Sequence, residues 1–130
     1  MRSLLCLALG ATVIVLPAAA QQRTSTGKET VITFAGNGGL RDWQAGPPDS
    51  GIVYVRDRNL NWYRVQLTGP CARDRALDTL RYTTDVNGTF DRFSRVSLAR
   101  YPNQICGVTS IRTSLPPKGQ PGAPKVNPPR

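Results

Sequence analysis

The groups that move protons, attack carbon or hold ions are scarce in this chain, and the scarcity is informative. Among 130 residues there is no His. Ser-His-Asp and Cys-His catalysis and His-based metal sites are therefore excluded. The only Lys residues are 28, 118 and 125, near the two ends, so none lies mid-chain to act as a base. Ser is plentiful, but no G-x-S-x-G elbow exists. Seven Asp fall in residues 30–114 and the single Glu is Glu29. Paired carboxylates for glycoside hydrolysis have no spacing signature here. An enzyme would have to work through Asp42, Asp57, Asp74 or Asp91 with Arg, the least favoured of the readings. Neither a cofactor nor a metal is expected, since two Cys without His cannot supply the three or four ligands of a zinc site.

Two constellations remain as a candidate binding surface. Arg41-Asp42-Trp43 follows the Gly-rich stretch Gly36-Asn37-Gly38-Gly39. That stretch lacks the Gly-Lys-Ser/Thr ending of a phosphate loop. Trp62 and Arg64 are two residues apart and share one face of a strand, the pairing by which single-stranded nucleic acid is stacked and neutralised. The simpler role for both is structural: a cross-strand pair for Trp62 and Arg64, a turn and core edge for Asp42 and Trp43. A cleft lined by Asp42, Trp43 and Arg would favour a site. A filled barrel would leave only a surface for partners.

These residues need elements to position them. Met1-Arg2-Ser3, the apolar run Leu4–Leu16 and the small residues to Ala20 have the layout of a secretory signal peptide. The run is shorter than the roughly 20 apolar residues a span requires. A cleaved signal of residues 1–20, bacterial in style, predicts a periplasmic or secreted protein with no membrane span. Cys6 would leave with it. Cys71 and Cys106 would then remain in an oxidising compartment and are expected to pair. The chain-entropy model assigns such a loop about 3–4 kcal/mol.

Residues 21–29 read as a flexible arm. Thr30–Phe34 (TVITF) reads as a first strand, and Ile52–Val55 as a central one. Residues 62–67 alternate most clearly, with Tyr63, Val65 and Leu67 on one face. Residues 72–77 could make a helical turn. Thr79–Thr84 is β-like, and Asn87-Gly88 is a hairpin signal. Phe90–Leu98 returns, Tyr101-Pro102-Asn103 turns the chain, and Ile105–Ile111 is a last strand. Residues 115–130 hold six Pro and read as a disordered, basic Pro-rich tail. About six short strands in residues 30–114 predict an all-β fold, a small antiparallel sheet curled toward a barrel.

The ordered set of Arg41-Asp42-Trp43, GIVYVRD, WYRVQL closing on Gly69-Pro70-Cys71, Asp91-Arg92-Phe93 and Ile105-Cys106 resembles a bacterial domain-of-unknown-function family, number 6491. Ser94 stands where that pattern favours Asp. The resemblance covers roughly residues 30–112, implies an exported protein with Cys71 paired to Cys106, and carries no activity.

Net charge is +9. Residues 30–114 hold 11 Arg against 7 Asp, so much of the excess lies on the ends. The domain is only mildly basic, which argues against nucleic acid as the main partner. The sequence thus predicts an exported, non-catalytic binding module. An envelope protein or an acidic envelope polymer is the expected partner. A general polyanion binder is the alternative.

Overall fold

The computed structural model describes residues 27–72 and 78–125. The signal segment, most of the arm, all but the first residue of the expected helical turn and residues 126–130 lie outside them. The described chain is all strand and turn. Its elements are β1 (Leu40–Ala45), β2 (Ile52–Asp57), β3 (Trp62–Leu67), β4 (Leu80–Tyr82), β5 (Arg95–Leu98) and β6 (Tyr101–Ser114). They form one antiparallel sheet in the order β1-β2-β3-β6-β5-β4, nearly closed into a barrel.

Alternation sets which side of each strand faces in. Val53 and Val55 of β2, Val65 and Leu67 of β3, and Val96 and Leu98 of β5 are all buried in the core. On β6, Val108 and Ile111 are three residues apart and would face opposite ways in a regular strand. A register shift opposite Gln66/Leu67 inserts one extra residue, and both point inward. Phe90 fills the centre, its ring edge-on to Tyr82 at 5.8 Å between centroids. Burying side chains of this size contributes about 1.5–3 kcal/mol each. The Cys71–Cys106 disulfide, with Cα atoms 5.9 Å apart, ties the end of β3 to β6.

Several local expectations need correcting. TVITF is not a strand. It makes only the isolated bridge Ile32↔Phe90, beside Glu29↔Arg112. The chain turns at Phe34, whose φ is 56°. The first true strand is LRDWQA, whose single aromatic and bulge conceal its periodicity. Tyr101–Asn103 belongs to β6; the turn before it is Ala99-Arg100. Pro102 is tolerated because β6 bulges away from β5 between the pairs Leu98↔Tyr101 and Val96↔Cys106.

The turns at 57–61 and 85–89 are built alike. In each, an Asp Oδ1 accepts from the backbone N–H two and four residues on: Asn59 and Asn61 at 2.9 Å each, Asn87 and Thr89 at 2.8 Å each. In each, the fourth residue donates its N–H to the Asp carbonyl and is left-handed: Leu60 at φ 66°, Gly88 at φ 77°. Asn87 has ordinary φ, so Asn87-Gly88 is not the two-residue turn the sequence suggested. Asp57 is buried and also accepts from Asn61 Nδ2 and from the Tyr63 hydroxyl at 3.0 Å. Burial, and then the hydrogen bond to Asp57, push the Tyr63 phenol above its usual pKa.

The Pro-rich segment forms neither strand nor helix through residue 125, as its composition requires. Its described part is nonetheless folded. Gln120 N–H donates to Pro117 O and Ala123 N–H to Gln120 O, at 3.1 and 3.0 Å. Gly119 and Gly122 hold the positive φ (89° and 80°) that these two successive turns demand. The Gln44 side chain donates to Lys118 O at 3.0 Å and accepts from Gln120 Nε2 at 3.1 Å. Ser114 pairs with Trp62, whereas Gln44 lies on β1, three strand spacings from β6. Three spacings are about 14 Å, close to the full reach of four residues. Residues 115–117 must therefore cross almost directly over the outer face of β3 and β2, and Pro117 is buried there.

Candidate functional site

A sheet that stops short of closure leaves two unpaired edges, here those of β1 and β4. Side chains, not a backbone ladder, span the gap. Trp43 Nε1–H donates to Asp78 O at 3.0 Å. Leu40 N–H donates to the Tyr82 hydroxyl at 3.2 Å, and that hydroxyl donates to Ala35 O at 2.6 Å. Between these links lies a cleft of about 240 Å³. Arg41, Asp42 and Trp43 line one wall, Asp78, Thr79 and Tyr82 the other, with Leu40 and Leu80 between them.

The bulge in β1 builds this wall. Leu40 pairs with Asp57 and Asp42 with Arg56, so Arg41 is the extra residue. A bulge re-aims side chains, and here it lets Arg41, Asp42 and Trp43 all border the cleft. Across the seam, Asp78 Oδ1 accepts the Thr79 N–H at 2.8 Å. Its Oδ2 is buried with no hydrogen-bond partner among the described residues. An acceptor left so is costly, by about 1–3 kcal/mol or more. The cleft thus offers an aromatic wall and a guanidinium, with the Asp78 Oδ2 buried beneath its surface.

The second constellation lies on the outer face. Two cross-strand rows run over it: Asp42, Arg56, Trp62, Ser114, and Gln44, Tyr54, Arg64, Arg112. Asp42 ion-pairs with Arg56, whose guanidinium carbon sits 5.7 Å from the Trp62 ring centroid. Asp42 therefore touches both sites. Trp62 faces away from the core as expected, yet is only 6% exposed. Arg56 covers the ring, and the C-terminal segment crosses the same face of the sheet. In this state Trp62 is no open stacking platform. Arg64 lies between Tyr54 and Arg112, and Arg112 is held by Glu29 at 3.4 Å.

The structure thus brings Arg41, Asp42 and Trp43 together and separates them from Arg64. Asp78 and Tyr82 complete the cleft, and sequence reasoning missed both as site residues. Of the other carboxylates considered for chemistry, Asp57 holds its turn, Asp91 Oδ1 accepts the Phe93 N–H at 2.8 Å, and Asp74 lies outside the described residues. Compared with family models, with curated proteins and with solved structures, the chain matches none.

Proposed function

We propose that this protein is an exported, non-catalytic binding module whose ligand site is the seam cleft. The observation that carries the reading is a cleft lined by Trp43, Arg41 and Asp78, the last with a buried Oδ2 that has no hydrogen-bond partner among the described residues. A small turn of the Asp78 side chain would bring that oxygen to a ligand donor, the Trp43 ring would cover an apolar face, and Arg41 would take an acceptor. The volume of about 240 Å³ falls below the roughly 300–1,000 Å³ of small-molecule pockets. It suits one side chain or one sugar ring of a larger envelope partner. Export follows from the amino-terminal layout, and a disulfide fits an oxidising compartment.

Trp43 supplies its own probe. With Trp62→Phe, Trp43 is the sole tryptophan. Soluble peptidoglycan fragments and periplasmic extract fractions would be titrated against its emission. A ligand that shifts the emission and binds at least about tenfold more weakly to Asp78→Asn supports the site. A ligand whose binding leaves Trp43 unmoved and ignores both Asp78→Asn and Arg41→Ala refutes it.

A further inference from the structure

The outer face of β1–β3 is covered to a degree that the solvent side of a sheet ordinarily is not. Tyr54, Arg56, Trp62 and Arg64 all point away from the core, yet none is exposed: Trp62 is buried and the other three are half-buried. Arg56 lies against the Trp62 ring. The segment Leu115-Pro116-Pro117-Lys118 crosses the same face, with Pro117 buried and Pro116 half-buried. A proline-rich stretch is thus seated on a sheet face that carries an indole and a phenol.

The chemistry of the face suits such a segment. An extended proline stretch makes no internal hydrogen bonds, so its carbonyls stay free and its rings are rigid apolar blocks. Sites that bind it offer aromatic side chains to the rings, and side-chain donors can take the carbonyls. Here Gln44 Nε2 donates to Lys118 O at 3.0 Å, the carbonyl that follows the two prolines. Tyr54 and Trp62 are the aromatic residues of the face. Arg64, in the same cross-strand row as Gln44 and Tyr54, has a side chain with no hydrogen bond or ion pair among the described residues, and is a further donor.

The chain's own segment is held there by little. Among the described residues, both of its hydrogen bonds to the barrel run through one side chain, Gln44, the second being Gln120 Nε2 to Gln44 Oε1 at 3.1 Å. No strand pairing secures it. After Pro117 it leaves the extended form for the turns at 117–120 and 120–123, and Pro121, Pro124 and Lys125 are exposed. We propose that the outer face of β1–β3 is a receptor for a proline-rich segment of a partner protein, and that residues 115–125 occupy it as a tethered placeholder. A partner with a longer extended run keeps its rings on the face where this chain turns away. The tether sets the competition, since a segment joined by so short a link is present at an effective concentration on the order of mM. The receptor face shares only Asp42 with the seam cleft, through the ion pair to Arg56, and does not rest on the cleft reading.

The test uses the chain from Gln21 to Arg130 and a fluorescein-labelled peptide with the sequence of residues 114–125 (SLPPKGQPGAPK), with binding read by anisotropy. In Pro117→Asp a charge replaces the buried ring and lifts the tethered segment, while the core lies on the other face of the sheet. Pro117→Asp binds the peptide at least about tenfold more tightly than the parent does. If that variant does not fold, Pro117→Gly, which only removes the ring, carries the same comparison with a smaller gain. Adding Gln44→Ala weakens binding at least about fivefold. A peptide with every Pro replaced by Ser binds at least about tenfold more weakly. One that continues the proline run (SLPPKPPPPPPK) binds more tightly than the chain's own sequence. Binding by the folded Pro117 variant that is no tighter than the parent's overturns the proposal, as does equal binding of the Ser peptide or no gain from the longer proline run. A concentration-dependent dimer of the parent that Pro117→Asp dissolves also overturns it, by assigning the face to exchange of this segment between two copies.

Discussion

Position 60 offers a sharp test of the turn geometry. At an ordinary position Ala is more favourable than Gly by about 0.4–1 kcal/mol, through the unfolded chain. At φ 66° the order should reverse. A left-handed residue with a Cβ costs about 1–2 kcal/mol, and Gly does not bear that cost. Leu60→Ala and Leu60→Gly lose the same packing, so their difference isolates the backbone. Leu60→Gly should be more stable than Leu60→Ala by about 0.5–1 kcal/mol. For a domain near this size that is about 2–8 °C in Tm. Urea melts followed by far-ultraviolet circular dichroism read it directly, with equal m-values as the check on two-state behaviour. Gly88→Ala is the mirror experiment. A Cβ there meets nothing nearer than Gly36 N at 3.6 Å, so φ alone acts, and a loss of about 1 kcal/mol is expected. If Ala equals or exceeds Gly at position 60, or Gly88→Ala is neutral, the account of these turns is wrong.

Other outcomes follow from the same contacts. Cys71→Ser/Cys106→Ser should cost about 3–4 kcal/mol in denaturant melts, by the loop-closure term. Tyr63 has its pKa raised on folding, so its contribution is fully present below about pH 10 and is lost as pH rises through the folded value. Tyr63→Phe should flatten that part of the alkaline stability profile. Ending the chain after Ser114 should uncover Trp62, red-shifting its emission in a Trp43→Phe background and admitting iodide quenching. Asp78→Asn in the free protein should be neutral or stabilising in thermal melts, because it removes a charge whose Oδ2 has no partner among the described residues.

The sequence carried the architecture where local pattern and fold agree. Alternation at Tyr63, Val65 and Leu67 and the β-branched run at 52–55 describe the central strands, and the two cysteines describe the staple. The pattern failed where one residue reset it. A bulge at Arg41 broke the period of β1. A left-handed Phe34 ended what looked like a strand. In the tail, Gly119 and Pro121-Gly122 are turn signals, but six prolines masked them. Arg41, Asp42 and Trp43 were legible as a group because they are contiguous. Asp78 and Tyr82 were not, since curling of the sheet alone brings them across the seam. Trp62 was placed on the correct face, while its burial under Arg56 on a face crossed by the distant C-terminal segment was not legible.

Strand β6 pairs with β3 along its second half and with β5 along its first. It is the sole strand of the described sheet that belongs to both halves. It is also the last strand to be synthesised. A chain ending at residue 100 would hold one three-stranded piece and one hairpin with no edge in common, and Cys71 would lack its mate. Compaction therefore waits on the carboxy-terminal fifth of the chain. On the proposed export, that delay from the order of the strands would keep the chain unfolded while it is threaded through a membrane.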